Sequence, residues 1–156
     1  MTLLSEVLVV TGLLSAGVVY GTDVFFAVVG RAALEEARDE SVTDVMGRLH
    51  RYGNARMPVF GTLGLACTLG LVFTAGIGSV ASTWALVALA GLGTQLAAYL
   101  TVAKPVNTAL TAAAAQGDFS LASRPLQRRW DSVIVPHALG LAVGVAGLAL
   151  AALSLR

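Results

Sequence analysis

What this sequence most lacks is charge. Asp, Glu, Lys and Arg make up 12% of its 156 residues, about half the roughly 25% of ordinary soluble domains. With 56% hydrophobic residues, that deficit excludes a disordered chain and argues against a globule dissolved in water. A single cysteine, Cys67, excludes an internal disulfide and any multi-cysteine zinc or iron–sulfur site. The two histidines, His50 and His137, could hold a metal only with carboxylate help. The net charge of +1 leaves no excess to attract nucleic acid or an acidic partner. No Lys or Arg precedes the first apolar stretch, which far outruns the roughly 7–15 residues of a secretory signal core and is read as a retained helix.

What the sequence has is long apolar runs. A bilayer core takes about 20 such residues per helix, and four segments meet that length: about 3–29, 58–80, 82–103 and 130–154. The expected fold is therefore all-α, a four-helix integral membrane bundle forming a single domain over 1–156. Residues Ser41 to Tyr52, with Val42, Val45, Met46 and Leu49 on one face, are expected to form a short amphipathic surface helix in the first loop. A tight turn near Gly76, Gly78 and Ser79 joins the middle spans. The run Thr111 to Gln116 reads as a helix closed by Gly117, and Ser123 before Arg124-Pro125 as an N-cap opening the last helix.

Cations are distributed unevenly. Arg31, Arg38, Arg48, Arg51 and Arg56 lie in the first loop, and Lys104, Arg124, Arg128 and Arg129 in the third, leaving only Arg156 on the other side. The positive-inside rule makes loops 30–57 and 104–129 cytoplasmic, with both termini outside the inner (plasma) membrane. Gly17 and Gly21, and Gly140 and Gly144 with Gly147, have spacings that let membrane helices approach closely, within one bundle or between copies in a homo-oligomer.

Ionisable groups inside spans are costly, about 2.5–3.5 kcal/mol each at the helix centre, so each is a functional candidate. At 1.5 Å per residue, Asp23 lies about 12 Å from Arg31 and His137 about 10 Å from Trp130, which places them at similar depth in the cytoplasmic half. Tyr20, His50, Asn54, Arg56, Tyr99, Lys104, Asn107, Trp130 and Asp131 fall near that level and could join one polar pocket. Asp23 and His137 could form a buried pair that holds two helices together, or a general base with its orienting carboxylate. His50, His137, Asp23 and Asp131 are the alternative, a metal-ligand set for copper, iron or zinc. Pro136 deprives α-helical neighbours of a hydrogen bond beside His137.

Four short spans combine with Gly17-x-x-x-Gly21 leading to Phe25-Phe26, Lys104-Pro105-Val106-Asn107-x-x-Leu110 after the third, and Trp130 followed by His137 on the fourth. Together these resemble the anthrone-oxygenase-like family of small membrane proteins. Members usually carry an Arg shortly after the polar residue on the fourth helix; here none follows His137 before Arg156. The resemblance implies oxidation of a small hydrophobic aromatic by dioxygen, within polyketide biosynthesis. His137 would then be the base, oriented by Asp23. Asn107, Lys104 or Tyr99 would stabilise an oxyanion, and Trp130 and Tyr20 would contact substrate. No resident cofactor is expected, since no nucleotide-binding glycine motif follows a strand. A non-enzymatic scaffold or accessory subunit packing through its glycine faces is the other class; four spans without an inverted repeat speak against a transporter.

Overall fold

A computed structural model describes residues 2–118 and 123–155. Its described elements are all helical, and four rods dominate: α1 (Leu3–Glu36), α2 (Asp39–Thr74), α3 (Val80–Gln116) and α4 (Arg124–Leu153). Each is long and apolar enough to cross a membrane, and at most 33% of its apolar window is buried inside the protein. Large apolar side chains such as Leu14, Val28, Phe73, Ile77 and Leu139 face outward. A soluble bundle would turn such residues inward. α1 packs on α2 and α4, and α3 packs on the same two, so the rods form a ring.

The rods outrun the expected spans. The first continues past 29 to Glu36 and the third past 103 to Gln116, while the second stops at Thr74. Gly76 and Gly78 end it there, because both adopt positive φ (86° and 85°) that other residues resist. Ser79 then caps α3 by accepting a hydrogen bond from Ser82 N at 3.1 Å. Residues 41–52 form no separate helix; they are early turns of the continuous α2, with Val42 and Met46 buried and Val45 and Leu49 exposed. Gly117 closes α3 in the left-handed conformation at φ 65°, as its position implied. The Ser123 side chain, expected as an N-cap, and Arg156 lie outside the described residues.

Two rods widen locally into π turns, Phe26–Gly30 in α1 and Tyr99–Ala103 in α3. In α3 the cause is Pro105, which lacks an N–H and crowds the carbonyl four residues earlier; widening relieves both. In α1 the Phe26 ring folds over Gly30, where a Cβ would lie 2.6 Å from Phe26 Cδ1. α4 runs unbroken through Pro136, whose ring is exposed.

Backbone contact joins α3 to α4. A Cβ on Gly91 would sit 2.6 Å from Gly140 O and 2.8 Å from Gly144 N, and one on Gly147 2.9 Å from Ala88 N. The glycines of α4 are therefore used inside the bundle, whereas Gly17 and Gly21 have open space around them. One apolar cluster includes Val9, Leu71, Ala88, Leu92, Leu141 and Leu148. The other, toward the α1–α2 connection, includes Val42, Met46, Val106, Leu110, Trp130 and Ile134.

Arg124 fixes that connection. Its Nη1 donates to Leu34 O at 2.9 Å, Nη2 donates to Ala37 O, and Nε pairs with Asp39. One guanidinium thus satisfies carbonyls at the end of α1 and a carboxylate at the start of α2.

Gly91→Val is expected to destabilise the protein by about 1–3 kcal/mol, the usual cost of forced overpacking. Gly17→Val, in open space, should change stability by less than about 0.5 kcal/mol. Thermal unfolding of the two variants in one detergent checks the contrast.

Candidate functional site

Between the two apolar clusters lies a cavity of about 780 Å³. It takes Val19, Asp23 and Phe26 from α1, residues from Leu49 to Leu69 from α2, residues from Leu89 to Asn107 from α3, and Trp130 and His137 from α4. Most of its wall is apolar, so each polar group on it stands out.

The central pair is Asp23 and His137. His137 Nδ1 lies 3.4 Å from Asp23 Oδ2, with side chains 5% and 13% exposed. That is ion-pair distance without hydrogen-bond alignment: Asp23 Oδ2 and His137 Nε2 both lack a hydrogen-bond partner. Two residues 114 positions apart thus meet in a largely buried site. α-Helical phase explains the α4 side, since Trp130 and His137 are one heptad apart and share a face.

A second polar group sits beside them. Asn54 Oδ1 accepts from Tyr99 OH at 3.3 Å and from Asn107 Nδ2 at 3.1 Å. Asn107 is buried, and its Oδ1 is unpartnered. His50 is also buried with Nε2 unpartnered, its ring 5.6 Å from that of Trp130. Phe26 also meets Trp130, edge-on at 5.3 Å. These aromatics form a wall that holds the tryptophan in one orientation. Arg56 lines the rim, its guanidinium 5.2 Å from the Tyr52 ring.

The cavity thus gathers Asp23, His50, Asn54, Arg56, Tyr99, Asn107, Trp130 and His137, while three expected members stand elsewhere. Tyr20 packs against the apolar cluster that holds Val9 and Leu148. Val19 and Phe26 lie on one flank of Asp23, and Tyr20 is about 60° round on the other at 100° per residue. Lys104 is exposed, about 100° past the face shared by Tyr99, Ala103 and Asn107. Asp131 is rotated from Trp130 by a similar angle; it accepts from Gln127 Nε2 at 2.9 Å and lines a different cavity with Arg31 and Arg128. Without Asp131 the expected metal-ligand set does not assemble, and no group of three or more His, Cys, Asp or Glu among the described residues could hold an ion. Gln95 and Thr22 line the cavity without having been placed there from the sequence. Gln95 carried a signal, being a polar residue in the middle of an apolar span.

Chemically, the site offers a proton acceptor with its carboxylate, amide groups near it, and flat aromatic surface. Comparison with family models, with curated proteins and with solved structures finds no match for this chain.

Asn54→Ala removes the acceptor for two donors, so it is expected to cost about 1–3 kcal/mol, and Tyr99→Phe less, about 0.5–1.5 kcal/mol. Denaturation of the singles and the double should show coupling, since both changes break one bond.

Proposed function

We propose that this protein is a multi-pass enzyme of the plasma membrane that oxidises a small hydrophobic aromatic with dioxygen by base-assisted proton abstraction. The observation that carries this reading is the buried Asp23–His137 contact at 3.4 Å on the wall of a largely apolar cavity. Resemblance to anthrone oxygenases supplies the reaction class. The excess of cations in loops 30–57 and 104–129 supports a cytoplasmic position for both loops and an outside position for the termini. The beginning of α2, with Val45 and Leu49 exposed beside Arg48 and Arg51, suits the headgroup level.

The chemistry follows from tautomer choice. A carboxylate beside Nδ1 favours the imidazole with hydrogen on Nδ1, which leaves the Nε2 lone pair to take a proton. An anthrone-type substrate carries an acidic benzylic CH₂ between two rings. His137 Nε2 accepts one of its protons, and Asp23 stabilises the imidazolium that forms. The remaining N–H of the Asn107 amide can donate to the enolate oxygen. The carbanion reacts with dioxygen to form a carbon–oxygen bond, and the resulting peroxide anion takes the proton back from His137 to become a hydroperoxide. Loss of water from it yields the ketone: CH₂ plus O₂ becomes C=O plus H₂O. Dry apolar walls hold the flat substrate and keep bulk water from protonating the carbanion.

His137→Ala should lower turnover of an anthrone by about 10²–10⁴-fold, the usual contribution of a general base. Asp23→Asn should lower it less while leaving the fold intact. Oxygen uptake in detergent or nanodiscs, with thermal unfolding as the folding control, measures both. Undiminished uptake by His137→Ala would overturn the mechanism.

Open space around Gly17 and Gly21 favours a second reading, in which α1 pairs with another membrane helix. Gly17→Cys should then form a disulfide-linked dimer in membranes under mild oxidation, given that the native Cys67 is buried. A strictly monomeric product would discard a symmetric pairing at this position.

A further inference from the structure

The cavity is not shaped like a compact pocket. On α2 its wall runs from Leu49 to Leu69, and on α3 from Asn107 to Leu89. At 1.5 Å per residue those stretches are about 30 and 27 Å long, close to the roughly 30 Å of a bilayer's hydrocarbon core. A volume of 780 Å³ spread over such a length is a narrow slot. All four helices enclose the end that holds the polar groups. The apolar part of the wall comes mainly from α2 and α3, through Gly61, Leu65, Leu69, Leu89 and Leu96, with Val19 of α1. Leu69 is 51% and Leu96 37% exposed, so this part of the slot opens sideways on the bundle's outer surface.

The polar end has its own preference. Asn107 Oδ1 is an unpartnered acceptor, Asp23 Oδ2 has only its 3.4 Å ion-pair contact with His137, and the nitrogens His50 Nε2 and His137 Nε2 make no hydrogen bond in the same cavity. A carboxylate or phosphate head would bring more negative oxygen against Asp23. A hydroxyl on an aromatic ring could donate to these acceptors and lie flat on Trp130.

We infer that the slot binds a phenolic lipid, a hydroxylated aromatic head on a single long apolar tail, which enters sideways from the bilayer between α2 and α3. The head sits among Asp23, Asn107 and His137, and the tail lies along Leu65 and Leu69. The placement of the head rests on the proton-abstraction reading above; the tail site rests on the slot alone.

The test uses full-length protein carrying Trp84→Phe, so that Trp130 is the remaining tryptophan and can be excited selectively, in nanodiscs. The probes are a para-ethylphenol and a para-dodecylphenol, each brominated beside the hydroxyl to quench Trp130. Both should quench saturably in the parent. Gly61→Leu has open space at its Cβ and would place bulk in the slot; Ala66→Leu is a second, independent block. Each should lower the ratio of dodecyl to ethyl affinity by about tenfold or more. An unchanged ratio in a variant that still melts cooperatively overturns the tail site, as does non-saturable quenching by the dodecylphenol. Displacement by dodecanoate as effective as by unbrominated dodecylphenol overturns the phenolic head. Should the ratio shift while His137→Ala retains turnover, the catalytic reading falls and the slot stands. Should the ratio hold while His137→Ala is inactive, the slot falls and the catalytic reading stands.

Discussion

The bundle is organised by the approach of two backbones. Gly91 and Gly140 leave so little space between α3 and α4 that even a methyl group would collide with main-chain atoms. For helices placed in lipid no hydrophobic drive pushes them together, and close van der Waals fit of this kind is what does so. The cavity takes most of its wall from α2 and α3. His137, on the helix that carries Gly140 and Gly144, meets Asp23 on α1 across it.

Polar groups survive in this interior because they cluster. Asn54 satisfies two donors at once, and Asp23 faces an imidazole rather than acyl carbon. Isolated, each would carry the full desolvation penalty of an unpaired group in an apolar surrounding. Several atoms nevertheless keep no partner, Asp23 Oδ2 and His137 Nε2 among them. Four of these atoms, on Asp23, His50, Asn107 and His137, line the same cavity, one from each helix.

The sequence was informative about depth and poor about azimuth. Counting 1.5 Å per residue placed Asp23 and His137 at one level, and they do meet. The same counting placed Tyr20, Lys104 and Asp131 there as well, yet a rotation of 60–100° carries each off the shared face. Rotation about an axis depends on which neighbour a helix packs against, and that is a tertiary fact. Two π turns added to the difficulty, because each inserts a residue into the helical phase just where α1 and α3 approach the site. Apolar length revealed the four rods at once, but it could not show that α1, α2 and α3 continue beyond their apolar cores as uninterrupted helix. Charged residues in those extensions look like loop to a hydropathy count.

Arg124 has a consequence for the distant pair. It ties the start of α4 to Leu34 and Ala37 at the end of α1. From that knot, His137 stands about 20 Å along one rod and Asp23 about 17 Å along the other from Leu34, at 1.5 Å per residue. The guanidinium therefore serves as a common zero mark for two rulers. Axial slippage of either rod by a single 5.4 Å pitch would carry carboxylate and imidazole out of register, so a residue at the bundle's rim governs alignment deep within it.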